Sequence, residues 1–369
     1  MKALHPELIY QIGISLIPDI GPVSAKKLIT HLGNAEAVFK EKANNLLLVP
    51  GIGRKTVNSI INQKVLAQAE KEISYIEKNQ ITPLYFKEKN YPNRLKHCAD
   101  GPIMLYFKGD ANFNIPKVIS VVGTRTPSEH GKSLCQHLIK ELSATDVLIV
   151  SGLAYGIDVC SHQEAMDRGL KTVGVLGHGL DRLYPAQNRK VAERMLENGG
   201  LLTEFLPGTE PDRTNFPMRN RIVAGISDAT IVIESKASGG SLITARLAFD
   251  YNRDVMAFPG RPDDELARGC NNLIKNNIAH LINTGKDVMK NLSWEAQEPK
   301  ERQVQKALFV DFTDEEQQII EVIMDSKPHS IDEISLSSKL SISKTASLLL
   351  SLEFKGVVKT LPGKQYRIA

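Results

Sequence analysis

Residues 118–126 have the sequence Val-Ile-Ser-Val-Val-Gly-Thr-Arg-Thr, in which a short β-branched run ends in a glycine, a hydroxyl group and a guanidinium group. Such a run is typical of a buried strand. Strands and helices are predicted to alternate after it, which indicates an α/β fold with a doubly wound parallel sheet. Further strands are predicted at 147–150, 171–176, 200–203, 229–233 and 254–257, and helices at 132–142, 159–168 and 241–251.

Glycine-rich and polar loops follow several of these predicted strands. Ligands of such sheets bind beyond the carboxyl ends of the strands, so we expect the loops to converge on one edge. Backbone N–H groups at glycines and at helix N-termini suit an anion, and arginine suits phosphate bidentately. The candidate anion-binding residues here are Gly123, Thr124, Arg125, Gly152, Asn188, Arg189, Arg219, Asn220, Arg221, Ser238, Gly239, Gly240 and Ser241.

Structural roles compete with binding at some of these positions. Arg219 and Arg221 could instead pair with Glu204 or Glu234, and the sequence leaves the two roles evenly balanced. Asn220 could cap a short helix that begins directly after it. These alternatives remain open at the level of the sequence.

Catalysis at this edge is not favoured. The first predicted strand is not followed by G-x-G-x-x-G, and neither G-x-x-x-x-G-K-[ST] nor an H-x-x-x-H metal pair occurs. Ser151, His162 and Asp158 could form a nucleophilic set, but their spacing does not support it. His162 is interpreted as a structural residue and Asp158 as the cap of the helix at 159–168. We therefore expect no catalytic residue, metal or cofactor.

An internal repeat lies near the N-terminus. Residues 16–29 (LIPDIGPVSAKKLI) match residues 48–61 (LVPGIGRKTVNSII) at an offset of 32, and each copy predicts a helix, a tight turn and a helix. This resembles the helix-hairpin-helix motif, whose glycine turn offers backbone N–H groups to a phosphate of DNA. Gly51, Gly53 and Lys55 are the candidate contacts in the second copy.

The first copy of the repeat departs from that motif. It has Asp19 where the motif has glycine, and a contact with phosphate is therefore not expected there. We interpret the first copy as a hairpin that packs for stability.

The C-terminal region is predicted to be a winged helix. A polar stretch at 291–311 indicates a linker. Residues 313–369 carry seven basic and eight acidic side chains, and this balance favours a contact with protein, or a regulatory role, over strong binding of duplex DNA. Helices are predicted from 313 and at 330–340 and 343–355, and strands at 357–361 and 365–368, around Pro362-Gly363.

Composition narrows the class of protein. A chain of 369 residues suggests two or three domains. The net charge is +4, and residues 1–65 alone carry eight basic and four acidic side chains, which favours a polyanionic partner there. Four scattered cysteines fit a reducing cytoplasm. No apolar run approaches a membrane span of about 20 residues, and the N-terminus lacks a signal-peptide pattern.

Taken together, seven ordered motifs resemble the DNA processing protein A family, also called Smf. Single motifs are weak, but their joint order over nearly the whole chain is specific. The motifs are GTR (123–125), SGLAYGID (151–158), GHGLDRLYPAQNR (177–189), NFPMRNRIVAG (215–225), SGGSLITA (238–245), FPG (258–260) and GCNNLI (269–274).

The resemblance implies a protein that binds and protects single-stranded DNA. It also implies that the protein loads a RecA-type recombinase onto that DNA during natural transformation and recombination. The same resemblance implies a cytoplasmic homodimer without catalytic activity. Arg125 would line the DNA pocket, and residues 188–189, 219–221 and 238–241 would contribute to it. A weak contact with double-stranded DNA is expected through the helix-hairpin-helix module, and no contact with a membrane.

The expected domains are a helix-hairpin-helix (SAM-like) module at 1–80, an extended Rossmann-like domain at 81–290, a linker at 291–311 and a winged helix at 312–369. The alternative is a nucleotide-processing enzyme, because the core is also similar to phosphoribohydrolases. Those enzymes carry PGGxGTxxE, whereas residues 238–245 lack both the proline and the acidic residue.

Overall fold

The computed structural model describes residues 6–294, 312–325, 327–361 and 365–368. The chain divides into two compact units, Met1–Trp294 and Glu295–Ala369. Across the described ranges, no helix is long and apolar enough to cross a lipid bilayer.

The first unit begins with a helical module that contains both copies of the repeat. Each copy forms a helix, a turn and a helix, as predicted, and their apolar residues share one core, which includes Leu28, Val57 and Ile60. The helices are α1 (Leu8–Leu16), α2 (Pro22–Leu32), α3 (Ala35–Lys40), α4 (Ala43–Leu46), α5 (Arg54–Ile61) and α6 (Leu66–Lys78).

The two turns of the repeat have matching backbones. Asp19 has φ of 64°, and Gly51, the equivalent residue of the second copy, has φ of 80°. Aspartate is among the few residues that tolerate this left-handed region. Gly21 and Gly53 then begin helices α2 and α5 from the same extended conformation. Asp19 therefore preserves the fold of the hairpin despite the loss of glycine.

In the part of the chain that the structure describes, nine strands form one large sheet in the order β1-β2-β6-β5-β4-β3-β7-β8-β9. In this spatial order, every two neighbouring strands from β6 through β5, β4, β3, β7 and β8 to β9 are parallel, which confirms the Rossmann-like fold. The strands are β1 (Thr82–Tyr85), β2 (Met104–Gly109), β3 (Val118–Val122), β4 (Leu148–Ser151), β5 (Thr172–Val175), β6 (Gly199–Thr203), β7 (Ala229–Val232), β8 (Asp254–Ala257) and β9 (His280–Leu281).

Three strands of this sheet were absent from the sequence prediction. Strands β1 and β2 form an antiparallel extension, in which β2 pairs with β6. Glycines permit this pairing: a Cβ on Gly109 would lie 2.2 Å from the carbonyl oxygen of Gly199. The third missed strand, β9, has only two residues, too few for a periodic signal.

Helices cover both faces of the sheet, as in a doubly wound fold. Helices α8 and α14 pack together on one face, and α11 and α12 pack on the other. The helices of this domain are α7 (Asn93–Lys96), α8 (Glu129–Leu142), α9 (Ile157–Asp167), α10 (Arg189–Glu197), α11 (Asn215–Gly225), α12 (Ser241–Asp250), α13 (Arg268–Lys275) and α14 (Gly285–Asn291).

Two capping roles considered for the sequence are wrong. Asn220 lies in the middle of α11, so it does not cap a helix. Asp158 lies inside the first turn of α9, one residue after Ile157, and its Oδ2 accepts a hydrogen bond from the Ala154 N–H at 3.3 Å. The carboxylate therefore fixes the preceding loop instead of ending the helix.

The second unit contains the winged helix. Thr313 and Ser330 are the N-caps of two helices, and each forms a capping box. The expected linker runs from 291 to 311, and its first residues are described: Asn291 ends α14, and Leu292 and Trp294 pack against the core of the first unit. Residues 295–311 and the Pro362-Gly363 turn lie outside the described residues. Described elements of this unit are α15 (Asp314–Val322), α16 (Ile331–Ser338), α17 (Ile342–Phe354), β10 (His329–Ser330), β11 (Val358–Leu361) and β12 (Gln365–Ile368), with β12 at the centre of the sheet.

A largely buried ion pair joins α7 to the segment before β7. Arg94 donates to both carboxylate oxygens of Asp228 at 2.6 and 2.8 Å, and also to the carbonyl oxygens of Ile115 and Pro116. Its side chain is only 15% exposed. Removal of one partner of such a pair leaves an uncompensated charge in a poorly hydrated place.

We predict that Arg94→Ala lowers the free energy of unfolding of the first unit by about 3 kcal/mol. The matched control is Arg194→Ala, which removes an exposed pair with Asp167 and should cost less than about 1 kcal/mol. Urea unfolding followed by the fluorescence of Trp294, the single tryptophan, measures both changes. Equal losses in the two variants would contradict the assignment.

Candidate nucleic-acid interface

The predicted loops converge on a groove of about 690 Å³ at the carboxyl edge of the sheet. Its walls come from the loops after β3, β4 and β7 and from one face of α11. The sequence-predicted residues that line it are Gly123, Thr124, Arg125, Gly152, Arg219, Asn220, Ser238, Gly239, Gly240 and Ser241.

The groove is basic. Among the described residues that line it, the basic side chains are Arg125, Arg213, Arg219 and Lys236, and the one carboxylate is Asp158. The net charge of the whole chain is only +4, so the basic character of the groove arises because folding brings these basic side chains together. A concave, positively charged surface raises the local concentration of an anionic partner.

Close backbone packing shapes the loop that carries Arg125. The Thr124 N–H donates to the Glu234 carbonyl oxygen at 2.7 Å. Gly156, with φ of 80°, lies so close that a Cβ on it would be 2.2 Å from the Thr124 carbonyl oxygen. The guanidinium of Arg125 then lies 5.8 Å from the centre of the Phe216 ring, in cation–π range.

Beneath the groove, Asp158 and Arg219 are buried with opposite charges. Burial raises the pKa of Asp158, against the opposing effect of Arg219. Burial likewise lowers the pKa of Arg219, and Asp158 opposes this. Gly152 makes room for both, since a Cβ there would lie 2.3 Å from Asp158 Oδ2 and 2.4 Å from Arg219 Nη1.

Arg219 does not use all of its hydrogen-bond donors. Its Nη1 donates to the Val175 carbonyl oxygen at 2.5 Å. Within the described residues, its buried Nε has no hydrogen-bond acceptor. The side chain is 6% exposed, so it acts on a groove ligand mainly through its charge.

The Ser238–Ser241 loop leads into α12 and offers its N-terminus to the groove. Ser241 Oγ donates to Ser235 Oγ at 2.9 Å, which fixes the loop. Among the described residues, no side chain caps the first N–H groups of α12. The N–H groups of Leu242 and Ile243 donate to the carbonyl oxygens of Gly239 and Gly240, so this end of α12 is suited to a phosphate mainly through the positive end of the helix dipole.

Three predicted residues of the same domain do not line the groove. Asn188 is buried, and its Nδ2 donates to the Leu153 carbonyl oxygen at 2.8 Å, so it supports the loop after β4. Arg189 begins α10 and also lies outside the groove lining. Arg221 lies elsewhere on α11 and pairs with Glu204, which was one of the two roles left open for it.

The remaining predicted residues, Gly51, Gly53 and Lys55, belong to the second hairpin of the helical module. Lys55 Nζ donates to Asp19 Oδ1 at 2.9 Å, so the two copies of the repeat are joined by an exposed ion pair. The structure does not bring these residues into the lining of the groove.

Two basic groove residues, Arg213 and Lys236, were missed by the sequence analysis. Arg213 lies two residues before α11, and Lys236 lies two residues before the Ser238 loop. Both are adjacent to predicted motifs, and that proximity is the signal that could have identified them. Phe216 and Tyr184 add aromatic surface, with ring centroids 6.1 Å apart.

His162 is not arranged as a catalytic base. Its Nδ1 contacts Thr172 Oγ1 at 2.6 Å and its Nε2 contacts the Gly152 carbonyl oxygen at 3.2 Å. Ser151 Oγ donates to the Val121 carbonyl oxygen at 2.5 Å instead of to the imidazole. Complete burial lowers the pKa of His162 to about 4.

That buried histidine predicts a pH effect on stability. An unfolded histidine takes up a proton near pH 6.5, whereas folded His162 stays neutral down to about pH 4. The contribution of neutral His162 to the free energy of unfolding is therefore fully present above pH 6.5. As the pH falls to 4, this contribution decreases by about 3 kcal/mol.

Urea unfolding of His162→Gln should show a correspondingly shallower loss over this interval. His137→Gln, a change at an exposed histidine, serves as the control and should keep the wild-type slope. If His162→Gln keeps the full wild-type slope, the buried imidazole is not its source.

Three family models match the chain. The model described as DNA recombination-mediator protein A covers residues 82–293. A SAM-like helix-hairpin-helix tandem covers 14–63, and the DprA winged helix domain covers 297–364. Together they account for the large sheet domain and for the modules on either side of it.

Among individual proteins, Protein Smf of Synechocystis sp. is 32% identical over 402 residues, covering 98% of this chain and 99% of its own. DNA processing protein DprA of Streptococcus pneumoniae is 40% identical over 200 residues, covering 54% of this chain and 70% of its own.

Solved structures agree. The X-ray structure of DNA processing protein A from Streptococcus pneumoniae matches with a TM-score of 0.66 at 31% identity, covering 78% of this chain and 98% of its own. DNA processing protein A from Helicobacter pylori, described for its single-stranded DNA binding mode, matches with a TM-score of 0.53 at 29% identity, covering 58% and 96%. The chain belongs to the DNA recombination-mediator protein A family, also called DprA or Smf.

Proposed function

We propose that the chain binds and protects single-stranded DNA in the basic groove and loads a RecA-type recombinase onto it during natural transformation and recombination. The observation that carries the proposal is the groove itself, where four basic side chains and an uncapped helix N-terminus surround one carboxylate among the described lining residues. The Helicobacter pylori relative, whose described binding mode is for single-stranded DNA, supports the choice of ligand.

The donors of the groove favour contact with the DNA backbone. Guanidinium groups at Arg125 and Arg213 recognise phosphate oxygens, which every nucleotide carries, and the positive end of the α12 dipole attracts the same oxygens. Phe216 and Tyr184 offer ring faces on which any base can stack. Binding should therefore be independent of base sequence and sensitive to salt.

The other functional assignments rest on family membership. A recombination mediator must meet a recombinase, and we propose that this chain acts on a RecA-type protein as a cytoplasmic homodimer. The second hairpin, with Gly51, Gly53 and Lys55, is proposed to add a weak contact with double-stranded DNA. The hydrogen bonds of Ser151 and His162 support binding without catalysis.

For Arg125→Ala we predict a roughly ten- to hundredfold loss of affinity for single-stranded DNA, because one charge-assisted contact is removed. The slope of log affinity against log salt should also become shallower by about 0.7, the value for one phosphate on a single strand. Fluorescence anisotropy with a labelled oligothymidine over a salt series measures both quantities.

Arg168→Ala is the control, since that arginine pairs with Glu164 on α9 and lies outside the groove lining. Unchanged binding by folded Arg125→Ala would remove Arg125 from the DNA site. A nucleoside-monophosphate hydrolysis assay on the same sample tests the alternative. Hydrolysis together with weak DNA binding would make the groove an enzyme site.

Deletion of residues 313–369 should leave the affinity for single-stranded DNA within about threefold of the full chain, since every groove residue belongs to the first compact unit. The same anisotropy titration measures it, with unfolding monitored at Trp294. A loss of more than about tenfold would move the principal DNA site to the winged helix.

A further inference from the structure

Two cysteines meet where helices α8 and α9 pack together. Cys135 lies on α8 within the apolar core on this face of the sheet, and Cys160 lies on α9 and packs against that core. Their thiols are close enough to share a hydrogen bond. Neither side chain lines the groove, so the proposed function leaves this pair of nucleophilic groups without a role.

The four cysteines of the chain differ in their access to solvent. Cys160 is partly exposed, whereas Cys98, Cys135 and Cys270 are buried. Burial raises the pKa of Cys270 to about 12, and burial also raises the pKa of Cys98, so both remain protonated thiols. A reagent dissolved in water therefore meets the thiol of Cys160 first.

The shared hydrogen bond gives the two sulfur atoms different roles. It lowers the pKa of Cys160, and the charge of Lys132 acts in the same direction, against burial and the carboxylate of Glu164. The same hydrogen bond raises the pKa of Cys135, and burial adds to this effect. Because the thiolate is the reactive form of cysteine, Cys160 is the nucleophile and Cys135 is the thiol held beside it.

We propose that Cys160 and Cys135 form a dithiol that reacts with hydroperoxides and closes to a disulfide. The Cys160 thiolate attacks one oxygen of the hydroperoxide, the O–O bond breaks, and the departing oxygen takes up a proton to leave as an alcohol or, from hydrogen peroxide, as water. Cys160 is then a sulfenic acid. The Cys135 sulfur attacks the Cys160 sulfur, the S–O bond breaks, and hydroxide leaves with the thiol proton as water. Two thiols are oxidised, and one hydroperoxide is reduced.

The disulfide joins the two helices that support the loop carrying Arg125. At the start of α9, the Ile157 N–H donates to the Thr124 carbonyl oxygen at 3.2 Å. At the start of α8, Ser128 is the N-cap and donates its hydroxyl to the Glu234 carboxylate at 2.5 Å. The cross-link closes a loop of about 25 residues between helices that are already packed, so it restrains the unfolded chain and stabilises the folded one.

Mass spectrometry of the full chain tests the disulfide. The reduced protein is treated with a small excess of hydrogen peroxide, alkylated and digested with trypsin without reduction. The expected product is one cross-link, between the tryptic peptides 133–140 and 141–168. Cys98 and Cys270 should be oxidised at least about tenfold more slowly than Cys160. Oxidation of Cys160 to a sulfinic acid while Cys135 stays reduced, or a disulfide with another cysteine, would overturn the proposal.

Variants separate the roles of the two cysteines. In Cys135→Ser the sulfenic acid at Cys160 has no thiol partner, so dimedone should trap it, and longer treatment should oxidise it to the sulfinic acid. Cys160→Ser should give neither the cross-link nor a dimedone adduct. Cys98→Ser, a change at a buried cysteine outside the pair, is the matched control and should form the cross-link as the wild type does. A dimedone adduct at Cys135 in Cys160→Ser would overturn the assignment of Cys160 as the nucleophile.

Urea unfolding followed at Trp294 tests whether the disulfide fits the folded chain. The oxidised wild type should unfold at a higher urea midpoint than the reduced protein, and dithiothreitol should restore the lower midpoint. Cys135→Ser should show no rise after the same peroxide treatment. A lower midpoint for the cross-linked wild type would contradict a disulfide that the packing of α8 and α9 accommodates. Neither measurement involves DNA, so the result is independent of the proposed function.

Discussion

The groove depends on the buried charges of Asp158 and Arg219. One carboxylate oxygen accepts from the Ala154 N–H and so holds the loop after β4, while the guanidinium holds the end of β5 through the Val175 carbonyl oxygen. Gly152 permits this because any side chain there would collide with both groups. Without either charge the other would be buried and uncompensated, and three converging segments would lose their common anchor.

Local signals in the sequence explain why so much of the domain could be predicted. The β-branched run at 118–122 and the run at 254–257 are strands with the expected bounds, because each is short, apolar and followed by turn residues. Strand β1 was missed because Thr82–Tyr85 contains a proline and has no alternation. Its place in the sheet is set by pairing with β2, which no local pattern encodes.

The groove residues show the same division between local and tertiary information. Gly123–Arg125 and Ser238–Ser241 were identified because glycine-rich loops after strands are readable in the chain. The role of Arg221 stayed open because its partner Glu204 is distant in sequence and is chosen only by folding. Arg213 and Lys236 are ordinary basic residues in loops, and only the convergence of those loops makes them part of one surface.

The two ends of the large sheet bear on solubility. One edge is β1, where Pro83 cannot donate a backbone hydrogen bond, and the other is β9, which has only two residues. An exposed edge strand is a template for pairing with another chain, and proline and very short strands are ways in which proteins prevent it. A sheet of this width would otherwise be prone to edge-to-edge aggregation wherever copies of the chain are concentrated.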